Sequence, residues 1–128
     1  MGRIVRDIEV AGKQLRALFD TGSLNSYITM EFAPDTRRPA VPITVGLGGS
    51  ARRLNERCDL TATVEGLAFD MTAYVVDRLG DTEHGRLDAI VGALTMEQWW
   101  IKLDPQAGTL DLTQLRRREF TEYAAWRI

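Results

Sequence analysis

Asp20, Thr21, Gly22 and Ser23 are the residues of this chain best suited to chemistry. An apolar run at residues 15–19 delivers the Asp20 carboxylate into a tight, glycine-containing turn. What a carboxylate placed there can offer is activation of water against an amide. One such group takes a proton from the water while a second, still protonated, polarises the carbonyl oxygen, so two like groups must approach until they share a single proton. A pair of that kind titrates as a unit. Gly22 lets backbone come close to a neighbouring chain or carboxylate, and the Thr21 and Ser23 hydroxyls can supply hydrogen bonds that fix the carboxylate's direction.

The number of such turns bears on assembly. Asp-Thr-Gly occurs once in 128 residues, and the nearest second candidates, Asp88 and Asp104, lack a comparable turn. The expectation is an isologous homodimer in which Asp20 of each subunit meets its counterpart across a twofold axis.

The elements that must hold Asp20 read mostly as strands. Ile4, Ile8 and Val10 share one face of a first strand, Ala11 and Gly12 turn it back, and Leu15, Ala17 and Phe19 alternate with polar residues on the second. Thr29 is expected to cap a helical turn at residues 30–33, and residues 35–42, with Pro39 and Pro42, to interrupt regular structure. A long hairpin is predicted over 43–57 with its tip at 46–50, and a second hairpin turns at Glu65 and Gly66. After a polar loop at 78–86, Ile90, Val91 and Gly92 close a short strand. Thr95 and Gln98 fit a capping box that opens a helix carrying Trp99 and Trp100. Two short strands then turn around a Pro and a Gly up to Leu112. Phe120, Tyr123, Ala124 and Arg127 sit at helical spacing, yet Phe120 and Tyr123 also suit a strand pairing with another subunit.

Composition sets the frame. The length suits one domain able to support its own core, here residues 1–112 with a C-terminal extension at 113–128. Sixteen basic against 18 acidic residues give a formal net charge of −2, which argues for neither a nucleic acid nor a membrane partner. Cys58 is the single cysteine, so no intrachain disulfide is possible. The start of the chain lacks the apolar run of a signal peptide, no stretch is as long as a membrane span, and Arg6 breaks a myristoylation motif at Gly2. A cytoplasmic protein is the expectation.

Three segments carry a resemblance in order and spacing across residues 4–112. Residues 15–32 resemble the active-site segment of the aspartic proteases, residues 43–50 the glycine-rich flap of the retropepsins, and residues 88–92 that family's aliphatic-aliphatic-Gly strand. The chain is similar to a bacterial or archaeal retropepsin-like, single-domain aspartic protease. The resemblance implies an all-β fold, a closed acid-protease barrel with a flap hairpin, one short helix after residues 90–92 and a possible C-terminal helix. It implies peptide-bond hydrolysis with no cofactor and no metal. Asp20 of one subunit would be general base and its partner general acid. Thr21 would bond across the axis, and Ser23 would orient the carboxylate. Gly46, Leu47, Gly48 and Gly49 would close over an extended peptide bound as an added strand. Ile28, Leu47, Val75 and Ile90 would wall the cleft. Retroviral enzymes usually carry an acidic residue after the catalytic turn and an Arg or Asp after the glycine strand, where this chain has Leu24, Asn25 and Ala93. Those positions change together, as expected for one replaced interaction, and Ser23, Leu24 and Asn25 are closer to the turn of the pepsin-like enzymes.

Simpler readings compete. Asp-Thr-Gly can be turn chemistry alone, and Gly46 to Gly49 an ordinary hairpin loop. A noncatalytic peptide-binding or dimerisation module on the same scaffold is the alternative function. His84 has no Cys or second His for a metal and reads as surface. Arg116, Arg117 and Arg118 read as a solvated helix end, Cys58 as a core or edge thiol, and Trp99 and Trp100 as packing mass. Arg52 and Arg53 lack the interleaved aromatics of a nucleic-acid surface.

Overall fold

Antiparallel strands joined by tight turns account for most of the chain. A computed structural model describes residues 2–83 and 85–120. The strands are β1 (Arg3–Val10), β2 (Lys13–Asp20), β3 (Ser26–Thr29), β4 (Arg37–Leu47), β5 (Ser50–Val64), β6 (Leu67–Val76), β7 (Asp81–Thr82), β8 (Gly85–Arg86), β9 (Ala89–Val91), β10 (Lys102–Asp104) and β11 (Thr109–Asp111). Two short helices, α1 (Ala93–Trp99) and α2 (Thr113–Arg117), complete the set. The main sheet runs β1-β2-β9-β3-β6-β5-β4, and a further β1–β5 pairing at Glu9 and Val10 curls it back on itself. The fold is all-β, as expected.

Three hairpins use one device. Val10 pairs with Lys13, Leu47 with Ser50 and Val64 with Leu67, so each loop has two residues. Both loop residues have positive φ in every case, at the β4–β5 tip +58° for Gly48 and +84° for Gly49. Such loops match the right-handed twist of the flanking strands.

Side-chain parity divides the interior in two. Ile4, Ile8, Leu15, Phe19, Ile28, Phe69, Val75 and Val91 belong to the main core, with Leu110, Leu112 and Leu115 from the C-terminal elements. Leu18, Tyr27, Leu47, Leu54, Val76, Leu79, Leu87 and Ile90 form a second cluster on the opposite face of the same strands. Alternation is what separates them, because neighbouring strand residues point to opposite faces.

Several local expectations change. Pro39 and Pro42 lie inside β4 rather than interrupting structure, with a register shift between Pro39 and Ile43. Proline is tolerated there because β4 is the outermost strand and the irregularity removes the demand for its N–H. Residues 30–33 form the expected turn, with Phe32 N–H donating to the Thr29 carbonyl at 3.0 Å and Ala33 N–H to that of Met30 at 3.4 Å, but the Thr29 side chain does not cap it, since its buried hydroxyl has no partner among the described residues. No capping box opens α1, because the helix starts earlier, at Ala93. The polar loop contains the small β7–β8 hairpin, and β5 extends past the predicted end of its hairpin. Cys58 is fully buried in the main core, where burial pushes its thiol up to about 11. Trp99 donates its indole N–H to the Asp70 carbonyl at 2.7 Å and meets Phe120 edge-on at 5.8 Å, so it packs as expected. His84, Tyr123, Ala124 and Arg127 lie outside the described residues. Among those described, no helix is long and apolar enough to cross a membrane, and no three His, Cys, Asp or Glu side chains cluster as metal ligands.

Candidate active site

Asp20 is the last residue of β2, delivered by hairpin register. The two-residue turn at Ala11 and Gly12 places Arg3 directly opposite Asp20. Arg3 Nε lies 3.5 Å from Asp20 Oδ2, and the Gly22 N–H donates to Oδ1 at 2.8 Å. The carboxylate is only 17 % exposed while the arginine is 63 % exposed, so the cation can leave more readily than the carboxylate. A bond from Ser23 N–H to the Asp20 carbonyl at 3.2 Å closes the turn.

Thr21 and Ser23 are both engaged, though not with Asp20. The Thr21 hydroxyl accepts from Gly2 N–H at 3.1 Å and donates to the Gly2 carbonyl at 3.3 Å, while Thr21 N–H also reaches that carbonyl at 3.1 Å. Thr21 therefore ties the turn to the start of the chain. Ser23 donates its hydroxyl to the Asn25 carbonyl at 2.9 Å, and it is Gly22 and Arg3 that hold the carboxylate.

The turn is locked from below by α1. Ala93 N–H and Leu94 N–H, donors that a helix start leaves without intrahelical partners, reach the Ser23 and Leu24 carbonyls at 2.6 and 3.1 Å. Gly92 makes this approach possible, since a Cβ there would lie 2.2 Å from the Asn25 oxygen and 2.8 Å from that of Ser23. Ser26 completes the lock: its hydroxyl accepts from Gly92 N–H and exchanges a bond with Thr95, both at 2.9 Å and buried. Thr95 thus acts through its side chain on β3 rather than as a helix cap.

A cleft of about 480 Å³ opens over Asp20, lined also by Gly22, Ser23, Tyr27, Leu79 and Leu87. The β4–β5 tip contributes Gly46, Leu47 and Gly48, whereas Gly49 is not part of the lining. Ile90 lines the cleft. Ile28 and Val75 do not, because they point to the main core while Tyr27, Val76 and Ile90 occupy the other face. Burial pushes the pKa of the Tyr27 hydroxyl above its ordinary value, partly offset by its bond to the Asn25 side chain. Arg3, Leu18, Tyr27 and Leu79 are cleft residues that sequence reading missed. Arg3 could have been found by counting back from the hairpin turn, and Leu18 and Tyr27 by their shared pairing with Ile90. Asp88 and Asp104 have structural duties, accepting from Arg16 N–H and Ala107 N–H at 2.8 and 3.1 Å. A larger groove of about 590 Å³ lies elsewhere, beside Asp59 and Asp70, and holds none of these groups.

No protein-family model and no curated protein matches this chain. Among solved structures it is similar to the crystal structure of the retroviral protease-like domain of Ddi1 from Leishmania major. The TM-score is 0.61 at 17 % identity, over 87 % of this chain and 88 % of that one. At that identity the likeness establishes the fold, a retropepsin-like one.

Proposed function

We propose that this protein is an aspartic endopeptidase whose catalytic pair is Asp20 from each of two copies. The observation that carries the reading is the Asp20 carboxylate, held by the Gly22 N–H and opening into a cleft roofed by the Gly46 to Gly48 tip. One copy has one such carboxylate, so the second must come from another. In the pair, one Asp20 takes a proton from water while the other protonates the scissile carbonyl, and the roles exchange as the amine leaves. Thr21, anchored on Gly2, and α1, seated under Ser23 and Leu24, keep each turn rigid. The hairpin tip excludes water as an extended peptide lies beneath it. Replacing Asp20 by Asn is expected to leave folding and self-association intact while abolishing cleavage of peptide libraries at mildly acidic pH. Retained cleavage in that variant would falsify the reading.

A noncatalytic peptide-binding or dimerisation module has one observation in its favour. The Arg3–Asp20 ion pair satisfies the carboxylate within a single copy, with no need of a partner. Binding of a peptide-mimic inhibitor of aspartic proteases separates the two, since the enzyme binds it with a pH dependence and the module does not.

A further inference from the structure

The cleft beside Asp20 mixes polar and apolar lining, with Leu18, Tyr27, Leu47, Leu79, Leu87 and Ile90 forming an apolar stretch of its wall, and its few charged groups set which charges it can discriminate. Three charged residues line it: Arg3, Asp20 and Asp81. Arg3 and Asp20 are engaged with each other. Asp81 is exposed, and its carboxylate has no hydrogen-bond or ion-pair partner among the described residues.

Its position is built rather than incidental. Asp81 opens the β7–β8 hairpin, which is closed by Leu87 N–H donating to the Gly80 carbonyl and by the Thr82 hydroxyl donating to Gly85, both at 3.0 Å. An Arg86–Glu31 ion pair at 2.9 Å ties the hairpin to the turn after β3. The β4–β5 tip reaches the same segment, with the Arg52 guanidinium on the Arg78 carbonyl and Gly48 placed so that a Cβ there would lie 3.7 Å from the Leu79 carbonyl oxygen. Asp81 therefore stands where roof and wall meet. Arg52 and Arg78 do not line the cleft.

We propose that Asp81 is a specificity-determining residue that selects a lysine or arginine side chain in an extended peptide held beneath the hairpin tip. The inference rests on the peptide-cleft reading above. The apolar stretch of wall recognises the aliphatic stem of such a side chain, and the carboxylate recognises its cationic head. A glutamate at the same place meets a like charge, which disfavours the wrong peptide as well as favouring the right one. Because Asp81 remains solvated, the preference is roughly fivefold to tenfold rather than absolute.

The test separates binding from turnover. Fluorescent extended peptides carrying Lys, Gln or Glu at each position in turn are titrated against the full chain with Asp20→Asn, which stops cleavage. The same titration is run with Asp81→Asn or Asp81→Arg added, after melting curves confirm that each variant folds. Because Asp20→Asn leaves the Arg3 guanidinium without its partner, the effect is read as a change: at one position the Lys-to-Glu binding ratio is expected to fall in Asp81→Asn and to fall further in Asp81→Arg, with the Gln peptide nearly unaffected. A Lys-to-Glu ratio unchanged by Asp81→Arg at every position, or no peptide bound at all, overturns the proposal. Cleavage is assayed apart, on chains that keep Asp20. Charge-selective binding without cleavage removes the proteolytic reading and keeps the subsite, whereas cleavage indifferent to charge does the reverse.

Discussion

Asp20 owes its setting to backbone groups more than to the side chains around it. The Gly22 N–H, the Gly2 backbone on Thr21, and the helix-start donors on Ser23 and Leu24 all converge on one turn. Gly92 is where this arrangement is most vulnerable. Its missing Cβ leaves room for the Asn25 and Ser23 carbonyls, which are backbone and cannot swing aside. Gly92→Ala is expected to cost roughly 3 kcal/mol in urea unfolding and to displace the turn. Gly46→Ala, whose Cβ would meet nothing within 4 Å, is the matched control, and equal effects of the two would refute the account. Cys58 gives a residue-scale prediction in pH. Burial raises its thiol from 9.0 to about 11 in the folded chain, with the Asp59 charge adding to the effect. The folded form thus holds the proton more tightly, a stabilisation complete below the unfolded value and lost as pH rises through the folded one. Unfolding midpoints should fall between about pH 9 and pH 11, and fall less steeply in Cys58→Ala. The identity of Asp20 was legible in sequence because Asp-Thr-Gly names its own turn. The Ser23 bond to Asn25 was not, because a hydroxyl chooses among nearby acceptors whose positions only the fold defines.

At the scale of elements, hairpins were the readable part. Alternating apolar residues around Ala11-Gly12, Gly48-Gly49 and Glu65-Gly66 specify three antiparallel pairs and their turns without tertiary information. What the sequence obscured is which face of a doubly buried strand looks into the cleft. Residues 26–29 of β3 are all buried, so apolarity alone does not tell Tyr27 from Ile28. Pairing does, since Tyr27 and Leu18 both stand opposite Ile90. The capping-box expectation at Thr95 failed because α1 starts two residues earlier, at Ala93, and leaves the Thr95 hydroxyl to pair with Ser26. The β4–β5 tip is the element whose function is most separable from stability. Gly48 has φ +58° and faces open space except for the Leu79 carbonyl. Gly48→Val places a β-branched side chain at positive φ and costs about 1–2 kcal/mol, borne mostly by the tip. Cleavage is expected to fall at least tenfold while the global unfolding midpoint moves only slightly. A variant that loses both together would show that the tip is part of the core rather than a roof.

At the scale of the whole molecule, one exposed surface joins the turn to the helix beneath it. Leu24 and Leu94 are exposed at 61 % and 53 % beside Ala93, which also borders a groove with Thr21, Met96, Trp100 and Ile101. The surface is mainly apolar, with Glu97 and Lys102 also in the groove lining, and it adjoins the Asp20 turn. It is the natural place for the twofold contact of the proposed pair. An apolar contact of this kind weakens little with salt, since screening acts on charges. Mixing gives the sharper test of a shared catalytic centre. When wild-type chain is exchanged to equilibrium with an equal amount of Asp20→Asn at constant total concentration, random pairing leaves both carboxylates in about a quarter of the pairs, against about half the activity for a site complete in one copy. The measured activity as a function of wild-type fraction should therefore curve as its square. A straight line through the origin would mean that a single Asp20 suffices, and the turn, the cleft and its roof would then have to work without a second copy.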